Sequence, residues 1–271
     1  ITVLVTHEIA GANGVVRDHG ATGAFVSKLI IDKDTMEVVK ADDLVQNLYT
    51  YDRVNNVYVE VTGTAAQMSR LCSADLPEIA AFFDAASGLG TTERIFMGGE
   101  EFGVESRAFA HVVTGTEAGN SYELPYLGRF SFENSAASAF SGKKTVVVST
   151  DDSTPGEVYV YIGDKQATGS AIEKAGLTNG DLFGIAASFG DANSAAQVSG
   201  TFTLIAQGNN GDVSDTSGAQ LQAASAPLTQ FGRPEDCAWD PSNPNRLYLA
   251  TTGTATSPTR LWVLEFVDIE H

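Results

Sequence analysis

Short runs of β-branched and aromatic residues, parted at close intervals by Gly, Asn, Asp and Pro, leave this chain little room to be anything but an antiparallel β protein. The runs are TVLVTH, AFVSKLII, NVYVEV, RIFMGG, AFAHVV, YLGRFSF, KTVVVST, EVYVYIG, LFGIAAS, GTFTLIA, RLYLATT and RLWVLEFV. Many alternate apolar and polar residues, the period of a strand with one face in a core. Between them GANG, DSTPG, TNGD, QGNNGD and DPSNPN supply the backbone angles of tight turns. Two segments break the pattern. SADLPEIAAFFDAAS is predicted to be helical, capped by Ser73 or Asp75, and TSGAQLQAAS is predicted to form a second helix.

These elements predict an all-β fold of β-propeller type, with four-stranded antiparallel blades around a central channel and short decorating helices. The 271 residues, 43% of them apolar, are expected to form a single domain over 1–271, because propellers reach this size as one unit. A six-bladed ring would need about two dozen strands, and the runs supply about half of that. The ring is therefore expected to be incomplete and the chain to be part of a longer one. Further segments or self-association would then close it, since an open ring exposes sheet edges. No internal repeat is clear enough to mark a blade boundary. The chain opens at Ile1 on ITVLV, with neither Met nor a signal peptide, and is expected to be processed or trimmed. No run of 18 or more apolar residues occurs, so no transmembrane helix is expected.

Charge narrows the function. With 16 Lys+Arg against 34 Asp+Glu the formal charge is −18, a balance that repels nucleic acid and anionic surfaces. A phosphorylated substrate would be repelled as well unless bound cations reversed the local sign. The acids are grouped in a way that suits cations: Glu100 and Glu101, Glu133, Asp151 and Asp152, Glu235 and Asp236 stand at strand ends beside small residues. Hard cations take such oxygen ligands. Inner propeller strands run along a shared channel, so one acid per blade can converge there despite wide sequence separation. The plain alternative puts these acids on solvated turns. It is weaker for GGEEFG, FENSA, STDDSTPG and FGRPEDCAWDP, where the acids sit among bulky apolar or turn-forming residues.

These stretches, with VTHEIAG, HGATGAFVSKLIID, RLCSAD, ELPYLGRFSFENSA, TVVVSTDDSTPGEVYVYIG and FGRPEDCAWDPSNPNRLYLATT, resemble in order the PhoX-type alkaline phosphatases. These are exported propeller enzymes that use calcium and iron. The resemblance implies an extracellular or periplasmic, metal-dependent phosphomonoesterase acting on a small phosphorylated substrate. It makes Cys72 similar to the family's iron-bridging cysteine, a soft ligand suited to a redox metal. It makes Glu133 and Glu235 similar to metal-ligating glutamates. Glu101 or Glu100, and Asp152 or Asp151, are further ligands, with neither doublet resolved. Arg233, two residues before Glu235 and expected on the same strand face, could fork onto a phosphate or pair locally with an acid. His7 and Glu8 match a family segment near the site, although a His beside a strand is more often structural.

Other readings stay open at this level. Cys72 is alternatively a small buried residue or a disulfide partner of Cys237. A propeller that keeps calcium for stability and serves as a surface, adhesive or filament-forming module would have the same acids without turnover. A carbohydrate-binding propeller would use Trp239, Trp262 or the tyrosines. His19 and His111 have no zinc-pair spacing, and no P-loop, Gly-x-Ser-x-Gly or dinucleotide fingerprint occurs.

Overall fold

The computed structural model describes residues 1–193, 198–208 and 217–269. Of the segments discussed above, residues 209–212 of QGNNGD and Thr216 of TSGAQLQAAS lie outside the described residues.

The chain begins with an antiparallel sheet of β1 (Thr2–His7), β2 (Phe25–Ile31) and β3 (Val38–Asp43). The hairpin β4 (Asn47–Asp52) and β5 (Val57–Val61) follows, then β6 (Leu71–Asp75) and a small hairpin, β7 (Phe83–Asp84) and β8 (Leu89–Gly90). Strands β9 (Ile95–Glu100), β10 (Ala108–Val112) and β11 (Asn120–Glu123) extend from β6 in the order β6-β9-β10-β11. The β4–β5 hairpin joins this sheet through a parallel pairing of β4 with β11. The next sheet is a meander of β12 (Phe132–Ala137), β13 (Lys144–Asp151), β14 (Val158–Asp164), β15 (Asp181–Ala187) and β16 (Phe202–Gly208). A last sheet holds β17 (Pro234–Trp239), β18 (Arg246–Thr251) and β19 (Arg260–Glu265).

The four larger sheets are arranged as the blades of a β-propeller. In the second, third and fourth, β6, β12 and β17 are the edge strands from which the following strands pair outward, the earlier β4–β5 hairpin lying at the far edge of the second, and β12 packs against both β6 and β17. Three apolar clusters fill the spaces between successive sheets. Strands β9 and β10 send Phe96 and Phe109 toward the first sheet and Met97 and Ala110 toward the third. Strand β13 sends Val147 one way and Val146 and Val148 the other. Burial on both faces is why TVVVS reads as a continuous apolar run rather than an alternating one.

The helices need correction. Of SADLPEIAAFFDAAS, the start is strand β6, Ile79–Ala81 is a single 3-10 turn, and Phe83–Asp84 is β7. Its apolar residues have helical spacing, but β6 is claimed by pairing with β9 and Pro77 interrupts any helix running through it. The second prediction holds as α2 (Gly218–Ala224), where Ser217 accepts from the Gln220 N–H; α1 (Ala171–Lys174) carries a capping box from Ser170 to Glu173. YLGRFSF is mostly a turn, with a 3-10 segment at Pro125–Leu127 and a strand beginning only at Phe132. Cys72 and Cys237 are both free thiols.

Candidate metal centre

Strands β6, β12 and β17 share a defect. Pairing with the next strand shifts register between Leu71 and Ala74, between Phe132 and Ser135, and between Pro234 and Cys237. In each case the partners, Glu100 and Gly98, Asp151 and Ser149, Thr251 and Leu249, are two residues apart while the inner strand advances three. These are β-bulges, and a bulge re-aims side chains that regular alternation would fix. The first residue inside each bulge is Cys72, Glu133 and Glu235. The unit extends to its backbone: the N–H groups of Glu101, Asp152 and Thr252 donate to the carbonyls of Arg70, Ser131 and Arg233 at 2.9, 2.8 and 3.1 Å. A structural repeat is therefore present that the sequence does not announce. RLCSAD, SFENSA and RPEDCA hold equivalent register positions in successive blades.

Two groups of donor atoms converge at these bulges, each with its ligand atoms within 4.8 Å of one another: Glu8, Cys72 and Glu101, and Glu133, Asp152 and Glu235. The bulges supply Cys72, Glu133 and Glu235. The remaining acids each follow the last residue of a strand, Glu8 after β1, Glu101 after β9 and Asp152 after β13. The groups adjoin, since the Cys72 thiol donates to Glu133 Oε1 at 3.3 Å. The Cys72 backbone carbonyl accepts from Thr6 Oγ1 at 2.7 Å, and Thr252 Oγ1 donates to Glu235 Oε1 at 2.6 Å.

Each group has one guanidinium. Arg70 Nη2 lies 2.5 Å from Glu8 Oε1 and 3.1 Å from Glu101 Oε2. Arg233 forks onto Asp152 at 2.9 and 2.7 Å and reaches Glu235 at 3.0 Å. Both arginines precede a bulged strand and occupy the left-handed region, at φ +50° and +55°, a conformation that costs a residue with a Cβ about 1 to 3 kcal/mol. Arg233 therefore does not share a strand face with Glu235 as predicted. It lies outside β17, and the reversed backbone brings its side chain back to the acids.

Electrostatically the centre is under-compensated. Burial pushes the Glu133 carboxyl up to about 7, opposed in part by the Cys72 hydrogen bond and reinforced by the charges of Glu235, Asp152 and Glu101. Burial first and Glu133 second push the Cys72 thiol up to about 12. A carboxylate-rich pocket that penalises its own charges is one that bound cations would relieve.

The register also separates the doublets, because neighbouring strand residues point to opposite faces. Glu101 and Asp152 face the centre; Glu100 and Asp151, which the sequence left as equal candidates, do not belong to either group. Buried Glu100 takes a fork from Arg107 at 2.8 and 2.6 Å and accepts from the Ser69 N–H at 2.9 Å. Buried Asp151 accepts from Ser153 Oγ at 2.8 Å, and burial and the charge of Glu157 raise its pKa. Arg70 is a site residue that the sequence reading missed, and Glu8 entered it only as part of a segment resembling one near the family's site. The signal for Glu8 was its place one residue past a strand end, as with Glu101 and Asp152. Its neighbour His7 turns away, stacked on Phe25 with ring centroids 4.0 Å apart. Trp239 and Trp262 are half-buried, with indole N–H groups bonded to Ala136 O and Thr251 Oγ1 at 3.1 and 3.2 Å, and belong to neither donor group.

Residues 104–264 match the family model described as alkaline phosphatase PhoX. That span includes Glu133, Asp152, Arg233 and Glu235, whereas Glu8, Arg70, Cys72 and Glu101 precede it. Comparison with curated protein sequences returned no match. Among solved structures the chain is similar to Pseudomonas fluorescens PhoX in complex with vanadate, a transition state analogue, at 15% identity and a TM-score of 0.49. The alignment covers 85% of this chain and 49% of that one, so this chain spans about half the length of the protein it matches.

Proposed function

From the premise that this chain belongs to the alkaline phosphatase PhoX family, we propose that it hydrolyses small phosphate monoesters at the joined Glu8–Cys72–Glu101 and Glu133–Asp152–Glu235 groups. The observation that carries this reading is the repeated bulge, which aims Cys72, Glu133 and Glu235 at one locus beside three strand-end acids.

The donor set fits the family's cations. Five carboxylates offer hard oxygen ligands suited to calcium, and Cys72 offers a soft sulfur suited to iron. Cys72, bonded to Glu133 and grouped with Glu8 and Glu101, is where the two donor types meet. When bound, such cations supply charge to the phosphoryl oxygens and acidify a water. They would also reverse the local sign of a chain whose formal charge is −18, which otherwise repels a phosphate.

The residues of the chain do the rest. Bound cations would favour the ionised forms of Glu133 and Cys72 by offsetting the burial and like charge that raise both groups. Thr252 fixes the Glu235 carboxylate by its 2.6 Å hydrogen bond. Arg233, with 44% of its side chain exposed, can leave Asp152 and Glu235 once those acids face cations, and its planar fork then matches two phosphoryl oxygens. We place the protein outside the cytoplasm, as the family resemblance implies; no helix among the described residues is long and apolar enough to cross a membrane.

Elemental analysis of the purified chain, with turnover of an aryl phosphate by the native chain and by Glu235→Gln, tests the proposal. Stoichiometric iron with calcium, and turnover lost in the variant at unchanged circular dichroism, is the expected result. Calcium without iron and without turnover would replace the enzyme by a calcium-stabilised module, and turnover retained in Glu235→Gln would remove that residue from the site.

A further inference from the structure

Arg70 stands at the metal centre without a part in the reaction proposed above. Its place in the fold is that of Arg233. Each arginine immediately precedes a bulged inner strand, β6 or β17, and its carbonyl accepts the N–H of Glu101 or of Thr252. Ser131 holds this position in the third blade and carries no charge. Among the described residues four non-glycine residues have positive φ. Met36 and Asn56 have it in the β2–β3 and β4–β5 hairpins, where the chain must reverse. Arg70 and Arg233 close no hairpin. The left-handed conformation strains a residue with a Cβ by more than a half-exposed ion pair offsets, so neutralising acids does not by itself account for it.

A structural arginine of this chain is held differently. Arg107 forks onto Glu100 through Nε and Nη2 at 2.8 and 2.6 Å, and Nη2 also donates to Gln67 O at 2.6 Å. Arg70 keeps 40% of its side chain exposed and meets both Glu8 and Glu101 through Nη2. Its Nε is buried and has no hydrogen-bond partner. The Nε–Nη2 fork of Arg70 is therefore not closed on a carboxylate, as those of Arg107 and Arg233 are.

The two guanidiniums flank one locus. Arg70 sits on the Glu8–Cys72–Glu101 group and Arg233 on the Glu133–Asp152–Glu235 group. The groups touch where Cys72 meets Glu133 at 3.3 Å, and Glu101, the partner of Arg70, also lies in the field of Arg233.

Resting on the phosphatase reading, we propose that Arg70 is a second phosphoryl-binding arginine and that the Arg70–Arg233 pair selects monoesters over diesters. A monoester dianion has three non-bridging oxygens, whereas a diester has two and a single charge. With Arg233 forked onto two of them, Arg70 takes the third, the oxygen that a diester commits to its second ester link.

Arg70→Ala and Arg70→Lys, loaded with calcium and iron and checked by elemental analysis, are to be compared with the native chain in two measurements. One is calorimetric titration with inorganic phosphate, and the other is kcat/KM for para-nitrophenyl phosphate and for bis(para-nitrophenyl) phosphate. Arg70→Ala is expected to bind phosphate about tenfold more weakly or worse at unchanged metal content. It is expected to lose about a hundredfold in kcat/KM on the monoester and about threefold or less on the diester. Arg70→Lys, which keeps the charge without the fork, should fall between, and added guanidinium ion should restore part of the monoester rate to Arg70→Ala. Equal losses on the two esters, unchanged phosphate affinity, or metal lost along with activity would each overturn the proposal. Absence of turnover in the native chain would sink the phosphatase reading by itself, with the phosphate titration still deciding whether Arg70 holds the anion. A native chain that binds no phosphate would overturn both. Should Arg70→Ala fail to fold by circular dichroism, Arg70→Lys carries the same comparison.

Discussion

Within a doublet of acids, one carboxylate serves the candidate centre and its neighbour serves the fold, and the two should separate cleanly on mutation. Glu101→Gln is expected to lower metal content while barely moving the melting temperature of the chelated protein. Glu100→Gln is expected to do the reverse: it leaves half-buried Arg107 without the carboxylate that is its partner at 2.6 Å, at a cost of about 3 kcal/mol. Denaturant titration in chelator, alongside elemental analysis, would show either pattern, and equal effects of both variants would undo the separation. His111 gives a pH signature at the same scale. It is wholly buried between Phe96 and Phe109, and its Nδ1 pairs with Ser121 Oγ at 2.8 Å. Burial, then the charge of His19, pushes its pKa from 6.5 down to about 3. The native state thus binds fewer protons than the unfolded chain. This stability is fully present above pH 6.5 and drains away as the pH falls toward 3. His111→Gln is expected to flatten the stability curve in that window relative to the native chain, and identical slopes would show that this histidine is not the group responsible.

At the level of the element, the bulged inner strand is the unit that builds the centre, and it depends on close approach by its neighbour. A Cβ on Gly99 of β9 would stand 2.4 Å from Cβ of Phe132, the first residue of β12. Gly99→Ala should therefore push β9 from β12, cost about 1 to 3 kcal/mol and disturb the contact between Glu133 of β12 and Cys72 of β6, the strand that pairs with β9. Loss of bound metal out of proportion to loss of helix and strand signal is the expected outcome, and undiminished metal content would mean that the strands absorb the methyl group without moving the ligands. The inner strands are also where sequence patterning is least legible. LCSAD, FENSAA and PEDCAW carry Ser, Asn, Asp, Glu and Pro where a strand is expected to show alternation, because a bulge breaks the period of two and the exposed side belongs to a polar centre rather than a core. The same residues stood out as acid blocks, so their chemistry was readable where their conformation was not.

For the whole molecule, the centre draws ligands from the ends of β1, β9 and β13 and from the bulges of β6, β12 and β17, so it ties the first, second, third and fourth sheets together. Removing cations should leave like charges facing one another in a poorly solvated space and loosen all four sheets at once. A chelator is expected to lower the melting temperature by several degrees or more, which calcium alone restores in part. An unchanged melting temperature would mean that the grouped acids hold no structural cation.

The sequence by itself determined the strand-rich fold, the acidic field and the blocks in which the ligands lie, because hydrophobic period, turn residues and charge are local quantities. Only the tertiary structure decided which member of each acid doublet faces the centre, that Glu8 and Arg70 join it, and that Arg233 returns to it from a left-handed turn. It also decided that SADLPEIAAFFDAAS is not a helix, since pairing with β9 outweighs helical spacing. Those outcomes depend on the register of pairing between strands distant in sequence, where a slip of one residue turns a side chain to the opposite face.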